Sequence, residues 1–328
     1  MRTGLILVTG ATGFVGNNVV RRLLADGAAV RVLVRSGQRS REFEDLDIEI
    51  APGDITDAAS LRQACKGVAA VVHSAGYVQL GRTQLDVHRA INVEGTRNVA
   101  DAALAAGAKL VHVSSCDALG VRSATEPADE DTEPNGRVRA PYAITKREAE
   151  LVVIDAVARG LDAAIVNPGF MLGPWDWKPS SGRMLLEVAR GRGMFAPRGH
   201  FSVCDVRDVA EGIVAALDRG AAGRRYILAG TTMRYVDAWR LFAEVTGGRR
   251  PLMTVGPLVA KLAGWTGDVI GRIRGREPDV NSGAIALAAL PKHYTIARAQ
   301  AELGYRHRPV RESVEAAWEW FREFGYAK

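Results

Sequence analysis

A glycine-rich segment directly after the first apolar run constrains this chain more than any other feature of its sequence. The run Leu5–Val8 is followed at once by the letters TGATGFVG at positions 9–16, and a helical pattern extends over Phe14–Ala25. Glycines leave backbone amides bare at the positive end of a helix, where an anionic group binds favourably. An ordinary strand-to-helix turn would explain a lone glycine triplet, but its position on the first strand of a βαβ pattern favours a dinucleotide site. The residues predicted to form that site are Thr9, Gly10, Thr12, Gly13, Phe14, Val15 and Gly16.

Short apolar runs alternate with helical patterns through the first half of the chain. Strands separated by helices form parallel sheets, so the pattern predicts an α/β fold: a Rossmann-like, doubly wound parallel sheet with helices on both faces. Ligands of such sheets bind at the carboxyl ends of the strands. The predicted strands are Leu5–Val8, Val30–Val34, Ile48–Ala51, Ala69–His73, Leu110–Val113, Ala163–Val166, Phe201–Val203 and Arg225–Leu228. The predicted helices are Phe14–Ala25, Ala58–Ala64, Val87–Ala106, Tyr142–Ala158, Asp208–Leu217 and Val310–Phe324.

The rhythm changes after the Asn-Pro-Gly sequence at positions 167–169. Gly, Pro, Trp and Arg dominate up to about position 197, and beyond Gly230 the chain consists of short helical patterns broken by Gly and Pro. A chain of 328 residues is at the upper end for one hydrophobic core. We therefore predict a dinucleotide-binding domain from residues 1–168 and 204–229, and a smaller, mainly helical substrate lobe from residues 169–203 and 230–328.

The positive charge of the chain does not indicate a nucleic-acid surface. The net charge is +6, but the arginines are scattered singly or in pairs and no basic run is interleaved with aromatic residues. The three cysteines form no C-x-x-C pair and the six histidines lack metal-ligand spacing, so we expect no metal site and a reducing, cytoplasmic location. We also expect no signal peptide and no integral membrane segment, because no apolar run has the required length.

The end of the second predicted strand bears on which dinucleotide binds. An acidic residue there would bind the ribose 2′-hydroxyl of NAD, whereas arginine suits the 2′-phosphate of NADP. Arg35 stands at this position, 19 residues after Gly16, and Arg39 follows it. NADP(H) is therefore favoured. The nearby carboxylates Glu42, Glu44 and Asp45 leave NAD(H) open, and Arg35 could also be a plain exposed strand end.

Two further strand ends carry residues suited to a cofactor. Asp54 follows the third strand, where its carboxylate could accept a hydrogen bond from an adenine amino group or could cap the helix that begins near Asp57. The fourth strand ends in small residues that allow close backbone approach, Ser74, Ala75 and Gly76, whereas His73 is expected to pack inside the strand.

Tyr142 and Lys146 lie four residues apart just inside a predicted helix, so both project from one face. A phenol with an unperturbed pKa of about 10 is a poor base at neutral pH, and a nearby ammonium group lowers that pKa. A Tyr and a Lys four residues apart also occur often by chance on helices, where they form a solvent-facing pair. A serine at the end of the fifth strand, Ser114 or Ser115, could stabilise negative charge on a substrate oxygen. Together with the glycine-rich turn, the three residues predict a site for hydride-transfer chemistry.

These motifs resemble those of the extended short-chain dehydrogenases/reductases, the NAD(P)-dependent epimerase/dehydratase family. The resemblance covers nearly the whole chain. Within the family, the sequence is similar to the dihydroflavonol-reductase-like, 3β-hydroxysteroid-dehydrogenase-like and hopanoid-associated sugar epimerase-like branch. The resemblance implies that Tyr142 is the general acid/base, that Lys146 lowers its pKa and binds the nicotinamide ribose, and that Ser115 orients the substrate oxygen. It also implies a proton relay or a helix distortion at Asn92. The further cofactor contacts it implies are Ile55, Tyr142, Asn167, Pro168 and Gly169.

The sequence departs from the family's sugar-nucleotide dehydratases directly after Ser115. Those enzymes carry an Asp-Glu pair there, whereas this chain has Cys116 and Asp117. Without that pair, Asp117 alone would have to protonate the leaving hydroxyl group. The departure therefore counts against 4,6-dehydration. Nothing around Cys116 indicates a nucleophile.

The candidate substrate residues give conflicting indications. Aromatic residues favour an apolar carbonyl compound, whereas the basic residues would suit a diphosphate or carboxylate. The leading hypothesis is an NADP(H)-dependent oxidoreductase that interconverts a ketone and a secondary alcohol on a small hydrophobic molecule. The alternatives are a nucleotide-sugar epimerase that retains its cofactor and, less favoured, a non-catalytic dinucleotide sensor; a homodimer is left open. The candidate substrate residues are Tyr77, Cys116, Asp117, Phe170, Trp175, Lys178 and Arg183.

The pattern at residues 258–273 alternates apolar side chains with Lys261, Arg272 and Arg274. An amphipathic helix on a membrane surface would have such a pattern. A lid packed over the substrate pocket is the favoured interpretation.

Overall fold

Strands and helices alternate along the first part of the chain, as predicted. The computed structural model describes residues 4–35, 40–134, 136, 140–274 and 277–327. Its strands are β1 (Leu5–Thr9), β2 (Ala29–Val34), β3 (Glu49–Pro52), β4 (Val68–His73), β5 (Lys109–Val113), β6 (Ala163–Pro168), β7 (Phe170–Leu172), β8 (Phe195–Ala196), β9 (His200–Asp205), β10 (Arg225–Leu228), β11 (Thr231–Arg234) and β12 (Met253–Thr254). Its helices are α1 (Phe14–Ala25), α2 (Ala58–Ala64), α3 (Leu85–His88), α4 (Gly95–Ala105), α5 (Pro141–Ala158), α6 (Gly182–Ala189), α7 (Val206–Arg219), α8 (Tyr235–Thr246), α9 (Pro257–Arg274), α10 (Ser282–Ala288), α11 (Ala297–Leu303) and α12 (Val310–Glu323).

Seven strands in the described part of the chain form one parallel sheet, in the order β3-β2-β1-β4-β5-β6-β10. The strands are nearly continuous apolar runs because both faces of the sheet are covered. Leu7, Val71 and Leu110 belong to the core on one face. Val8 and Val111, each one residue further along its strand, belong to the core on the other face. The predicted fold, a Rossmann-like sheet with helices on both sides, is confirmed.

The order of the strands determines where a ligand can bind. The chain passes from β1 outward through β2 to β3 and then returns to place β4 on the other side of β1. Helices leave the carboxyl ends of β1 and β4 in opposite directions, which opens a crevice at that edge of the sheet. The glycine-rich turn follows β1 and the segment Ser74–Gly76 follows β4, so both predicted cofactor segments lie at this crevice.

The second half of the chain adds smaller sheets and a separate aromatic core. Strand β9 pairs with β7 in parallel and with β11 antiparallel, and the short strands β8 and β12 pair with each other. Phe201, Phe242 and Phe321 are fully buried in the core that these elements share with α8 and α12. The predicted division into two discontinuous domains stays a prediction. The short strands β7, β8, β11 and β12 are absent from the sequence-based expectation, because two to four residues carry little periodicity.

Helix α9 packs in a different way from the predicted lid. Its buried residues are the glycines Gly264, Gly267 and Gly271, of which Gly264 and Gly267 lie against α10 and the residues just before it, while most of its large apolar side chains are exposed. Most of the apolar face is therefore open to solvent in this structure. As for membrane insertion, none of the helices in the described ranges combines the length and apolar character that a bilayer-spanning helix needs.

Candidate active site

The turn after β1 is built so that backbone can approach a ligand closely. Gly10 has a φ of +71°, and a Cβ atom on it would lie 2.5 Å from the amide nitrogen of Ala75. A Cβ on Gly16 would lie 2.3 Å from the carbonyl oxygen of Gly10. Gly13 is the N-cap of α1 and has no side chain to cap the helix, and the first turn holds no acidic residue. The amides of this turn, at Phe14, Val15 and Gly16, are thus placed to receive a pyrophosphate.

A chain of buried hydrogen bonds connects β1 and β4 to the helix behind them. The Thr9 hydroxyl lies 2.7 Å from His73 Nδ1, His73 Nε2 lies 3.0 Å from Thr96 Oγ1, and Thr96 Oγ1 donates to the carbonyl oxygen of Asn92 at 2.6 Å. These partners fit a neutral His73 with its proton on Nε2. Burial, with a smaller effect of Lys146, lowers the pKa of His73 to about 3. His73 is therefore a structural residue, as expected.

Asn92 lies where the helix behind the site loses its regular geometry. The sequence predicts one helix over Val87–Ala106, but a π-helical segment, Arg89–Glu94, separates α3 from α4. The Asn92 amide accepts from the backbone nitrogen of Tyr77 at 2.7 Å and donates to the Tyr77 carbonyl and to Thr145 Oγ1, both at 3.1 Å. These hydrogen bonds hold α5 and the segment after β4 at the position where the π-helical turn contains an extra residue. The helix distortion that the resemblance implied is present.

Ser115 and Tyr142 meet at the carboxyl end of β5. Ser115 caps the short turn Cys116–Ala118 and accepts a hydrogen bond from the backbone nitrogen of Asp117 at 3.1 Å. Tyr142 is the second residue of α5 and follows Pro141, a residue that favours the first helical turn; only 8% of Tyr142 is exposed. The Ser115 hydroxyl lies close enough to the Tyr142 phenol to lower its pKa. A substrate oxygen could therefore contact both hydroxyls at once.

The charges around the Tyr142 phenol differ from those predicted. Burial and, to a smaller extent, the carboxylate of Asp117 raise its pKa, the Ser115 hydroxyl and the positive charge of Lys292 oppose this rise, and the net result is a pKa of about 12. The pKa is raised because burial outweighs the favourable charges. The lowering by Lys146 that the resemblance implies stays a prediction. The phenol is protonated at neutral pH.

Lys146 lies deeper, between the ends of β4 and β5. Its Nζ donates to the Val113 carbonyl at 3.0 Å, and it lies 3.5 Å from the position that a Cβ on Gly76 would occupy. Burial lowers the pKa of Lys146 to about 8, although the charge of Glu150 raises it. The structure thus brings Gly76, Asn92 and Lys146, three of the candidate site residues, close together.

Glu150 is a buried residue near the site that the sequence analysis missed. Its carboxylate is fully buried and accepts hydrogen bonds from Ser114 Oγ and Asn167 Nδ2, both at 2.6 Å, and from Arg225 Nε at 2.7 Å. Asn167 also donates to the Ser115 carbonyl at 3.0 Å. The network fixes the backbone that carries Ser115. Its sequence signal was the i, i+4 spacing from Lys146.

Asp117 and Lys292 form an ion pair beside the phenol that the sequence analysis also missed. Asp117 Oδ1 and Lys292 Nζ are 2.6 Å apart, and their side chains are 18% and 15% exposed. Tyr235, which stacks on Phe201 at 4.1 Å between ring centroids, has its pKa raised by burial and lies within electrostatic range of both charges. Asp117 and Lys292 are also the charges that act on the Tyr142 phenol. Because the Asp117 carboxylate is paired, it is poorly placed to act as a free acid for dehydration.

Cys116 lies below this group and is not exposed to substrate. Its Sγ donates to the Asn167 carbonyl at 3.2 Å, and burial raises the pKa of the thiol well above its usual value. A buried thiol is a poor nucleophile. The tentative substrate contact of Cys116 is therefore replaced by a packing role.

The predicted adenosine contacts lie at the ends of β2 and β3. Arg35 is exposed and lies close enough to Asp54 to lower the pKa of that carboxyl, which the hydrogen bond from the Thr56 backbone lowers most. Asp57, not Asp54, caps α2. The Ile55 carbonyl accepts from Asn98 at 3.0 Å. Arg39 lies outside the described residues.

The remaining cofactor candidates lie on both sides of the crevice. Ser74 Oγ donates to the Thr9 carbonyl at 2.7 Å. Pro168 ends β6, and the Gly169 amide donates to the Leu228 carbonyl at 3.1 Å. Thr12 is half-buried in the glycine-rich turn.

Two of the tentative substrate residues lie near the site. Tyr77 follows the segment after β4 and packs edge-on against His88 with its hydroxyl on Gln84. Phe170 packs against Phe201 with ring centroids 4.9 Å apart, and Phe201 also contacts the stacked ring of Tyr235. An aromatic wall therefore leads from β7 toward the Asp117–Lys292 pair.

Three of the tentative substrate residues have their contacts elsewhere, which corrects the sequence-based assignment. The Trp175 ring packs on the Arg21 guanidinium at 3.3 Å and against aromatic rings of α12, with its backbone at a φ of +70°. Lys178 is 75% exposed, 3.8 Å from Glu42. Arg183 forms an ion pair with Asp279 at 2.7 Å. Local sequence could not show these partners, because they are remote in the chain.

Comparison with known proteins agrees with this geometry. The model of the NAD dependent epimerase/dehydratase family matches residues 6–229. The sterol demethylase protein B of Methylococcus capsulatus is 34% identical over 97% of this chain and 98% of the relative. A Stigmatella aurantiaca ketoreductase, named for 4-hydroxy-2-methyl-3-oxo-4-farnesyl-3,4-dihydroquinoline-1-oxide, is 29% identical over 94% of this chain and 92% of the relative. The crystal structure of gox2253 is 36% identical, with a TM-score of 0.87 and 99% of both chains covered.

These matches extend over a chain whose cofactor turn and Ser-Tyr-Lys constellation have the geometry described above. The family that the motifs resembled is confirmed, and its members act on small molecules with a nicotinamide cofactor. The chain belongs to the NAD dependent epimerase/dehydratase family, the extended short-chain dehydrogenases/reductases, and is an NAD(P)-dependent oxidoreductase of that type.

Proposed function

We propose that the protein is an NADP(H)-dependent oxidoreductase that interconverts a ketone and a secondary alcohol on a small hydrophobic molecule. The observation that carries the proposal is the buried, protonated Tyr142 hydroxyl, with the Ser115 hydroxyl close enough to act on its pKa. A bound reduced nicotinamide supplies a hydride to the carbonyl carbon. Tyr142 gives its proton to the oxygen, so that a ketone, a hydride and a proton yield the alcohol.

The other residues of the site hold this arrangement in place. Ser115 donates to the substrate oxygen as negative charge develops on it. Lys146, with its Nζ on the Val113 carbonyl, supplies a cation for the ribose of the cofactor. Asn92 positions both α5 and the Tyr77 backbone and acts through them.

The preference for NADP(H) rests on Arg35. It stands directly after β2, where a carboxylate would select NAD, and its guanidinium is exposed. A 2′-phosphate could accept hydrogen bonds from it.

The preference for an apolar substrate rests on two observations. The aromatic wall of Phe170, Phe201 and Tyr235 leads to the Asp117–Lys292 pair, whose charges act on the Tyr142 phenol. A sugar diphosphate would need basic residues at the site, and the two candidates have other partners. Lys178 lies near Glu42, and Arg183 forms an ion pair with Asp279. Relatives named for a sterol and for a farnesylated quinoline support the same class.

A panel of steroid, prenylated and aromatic ketones, with UDP- and dTDP-sugars, tests the proposal through absorbance of NADPH and NADH. We expect stoichiometric NADPH consumption with an apolar ketone, and a Tyr142→Phe variant whose kcat falls by about 10² to 10⁴. Tyr326→Phe, which changes a phenol remote from the site, is the matched control. Conversion of a nucleotide sugar without net NADPH consumption would instead establish the epimerase. Tighter binding of NADH than NADPH, with no further loss of NADPH affinity in Arg35→Asp, would contradict the role of Arg35.

A further inference from the structure

Helix α9 presents a large apolar surface to solvent. Leu258 and Ile273 are 80% exposed, and Val259, Leu262 and Trp265 are 63% exposed. Soluble surfaces rarely collect so many large apolar side chains on one helix. At about 100° per residue these five side chains fall within an arc of roughly 120°, so they form one continuous face, here called the α9 face.

The opposite side of the helix fixes this orientation. A Cβ on Gly267 would lie 1.9 Å from the Val280 carbonyl oxygen, and one on Gly264 would lie 3.0 Å from Ile285 and Ser282. The glycines therefore allow close contact with α10 and with the segment that precedes it. Rotating α9 to bury its apolar face would drive larger side chains into that backbone.

Basic residues lie on both sides of the α9 face. By the same helical geometry, Lys261 and Arg272 border one edge of the apolar arc and Arg274 the other. The acidic residues around α9 have partners other than its basic residues. Asp268 accepts a hydrogen bond from the Ser282 backbone nitrogen, and Glu277 accepts from the backbone nitrogens of Arg82 and Thr83. Asp279 pairs with Arg183. An apolar stripe between two basic edges matches the chemistry of an anionic lipid surface.

A shallow groove lies within the same surface. It has a volume of about 460 Å³ and is lined by the α9 residues Val259, Leu262, Ala263, Thr266, Gly267 and Ile270 together with Pro278 and Val280. The groove extends the apolar surface beyond the five side chains of the α9 face.

We propose that the α9 face docks on the surface of an anionic lipid bilayer. The apolar side chains enter the boundary between headgroups and acyl chains, and Lys261, Arg272 and Arg274 contact lipid phosphates. The charge pattern favours this occupant over a second copy of the chain, because two α9 faces brought together would place like-charged edges against each other. The docking surface does not depend on which carbonyl compound the enzyme reduces.

Co-sedimentation with vesicles tests the proposal on the full chain. We expect the protein to sediment with vesicles of phosphatidylcholine and phosphatidylglycerol, to bind phosphatidylcholine alone more weakly, and to be released by high salt. The double variant Leu258→Ser, Trp265→Ser and the double variant Lys261→Glu, Arg272→Glu should each partition roughly tenfold more weakly. Leu151→Ser, which removes an apolar side chain 53% exposed on α5, is the matched control and should bind like the parent protein.

The depth of the helix gives an independent measurement. Brominated acyl chains should quench the emission of Trp265, and the quenching should be lost in Trp265→Phe. Failure to sediment with anionic vesicles, or equal binding by the α9 variants and the parent, would overturn the proposal. A dimer in solution that the Leu258→Ser, Trp265→Ser variant dissociates, without vesicle binding, would assign the α9 face to a second copy and overturn it as well.

Discussion

Lys146 is held in the protein interior at a cost to stability. It is only 6% exposed, and burial lowers its pKa from 10.5 to about 8. A lysine with a lowered pKa binds its proton less tightly in the folded than in the unfolded state. Below pH 8 the folded protein therefore bears the full free-energy cost of burying the charged ammonium group. This cost disappears as the pH rises from 8 to 10.5.

This predicts opposite effects of Lys146→Met on activity and stability. Turnover should fall sharply, while the free energy of unfolding at pH 7 should rise by up to about 3 kcal/mol. Urea unfolding at pH 7 and pH 10 would measure the gain, which should shrink at the higher pH. Lys66→Met, an exposed control, should change little at either pH. An equal gain at both values would show that the charge of Lys146 is not its cause.

The Asp117–Lys292 pair sets the polarity of the Tyr142 phenol from its outer side. Asp117 raises and Lys292 lowers the pKa of that phenol. In alcohol oxidation, Asp117→Asn should therefore increase and Lys292→Met should decrease the rate at a fixed alkaline pH, each by roughly three- to tenfold. The comparison is kcat for the same alcohol in the two variants and the parent. Changes in the same direction would indicate that the pair acts only by maintaining the fold.

At the scale of elements, the glycine-rich turn depends on the contact between the start of α1 and the end of β1. A side chain on Gly16 would lie 2.3 Å from the Gly10 carbonyl, so the backbone would have to move. Gly16→Ala should weaken NADPH and NADH binding by roughly tenfold or more, since the amides of the turn would be displaced. Gly256→Ala is a suitable control, because nothing lies within 4 Å of its Cβ position. Equal affinities in a fluorescence titration of the two variants would contradict this account.

The π-helical segment Arg89–Glu94 is an element whose existence depends on tertiary contacts. Its sequence fits the single helix Val87–Ala106, and the local pattern gives no reason for an interruption. Asn92 and Thr96 bind groups from the end of β4 and from α5. Those partners are 15 to 53 residues away in the chain. Helical periodicity therefore could not reveal the distortion, and only the family resemblance implied it.

At the scale of the whole molecule, Glu150 connects three strands of the central sheet. It receives hydrogen bonds from Ser114 after β5, from Asn167 in β6 and from Arg225 in β10. Glu150→Gln replaces an acceptor oxygen by a donor and leaves at least one of these groups unpaired. The free energy of unfolding should fall by about 2 to 4 kcal/mol. Glu148→Gln, on the exposed side of α5, should have a much smaller effect in the same urea titration. Similar losses in both variants would contradict the importance of the network.

The sequence by itself determined the order of strands and helices, the glycine-rich turn and the spacing of Tyr142 and Lys146. These features are local: strand alternation, helical periodicity and a four-residue separation are decided by neighbouring residues. Family resemblance then added Ser115 and Asn92. The helix bounds Phe14–Ala25 and Ala58–Ala64 are the same in the structure as in the prediction.

Only the tertiary structure decided which charges surround the phenol and which apolar surfaces are covered. Lys292 reaches Asp117 across 175 positions of the chain, and Trp175 packs against α1 and α12 and not beside Tyr142. The exposed α9 face is likewise decided by packing, because Gly264 and Gly267 make the opposite side of the helix the closer fit to α10 and the residues just before it. Burial and long-range electrostatics depend on distances through space, and a sequence pattern specifies only distances along the chain.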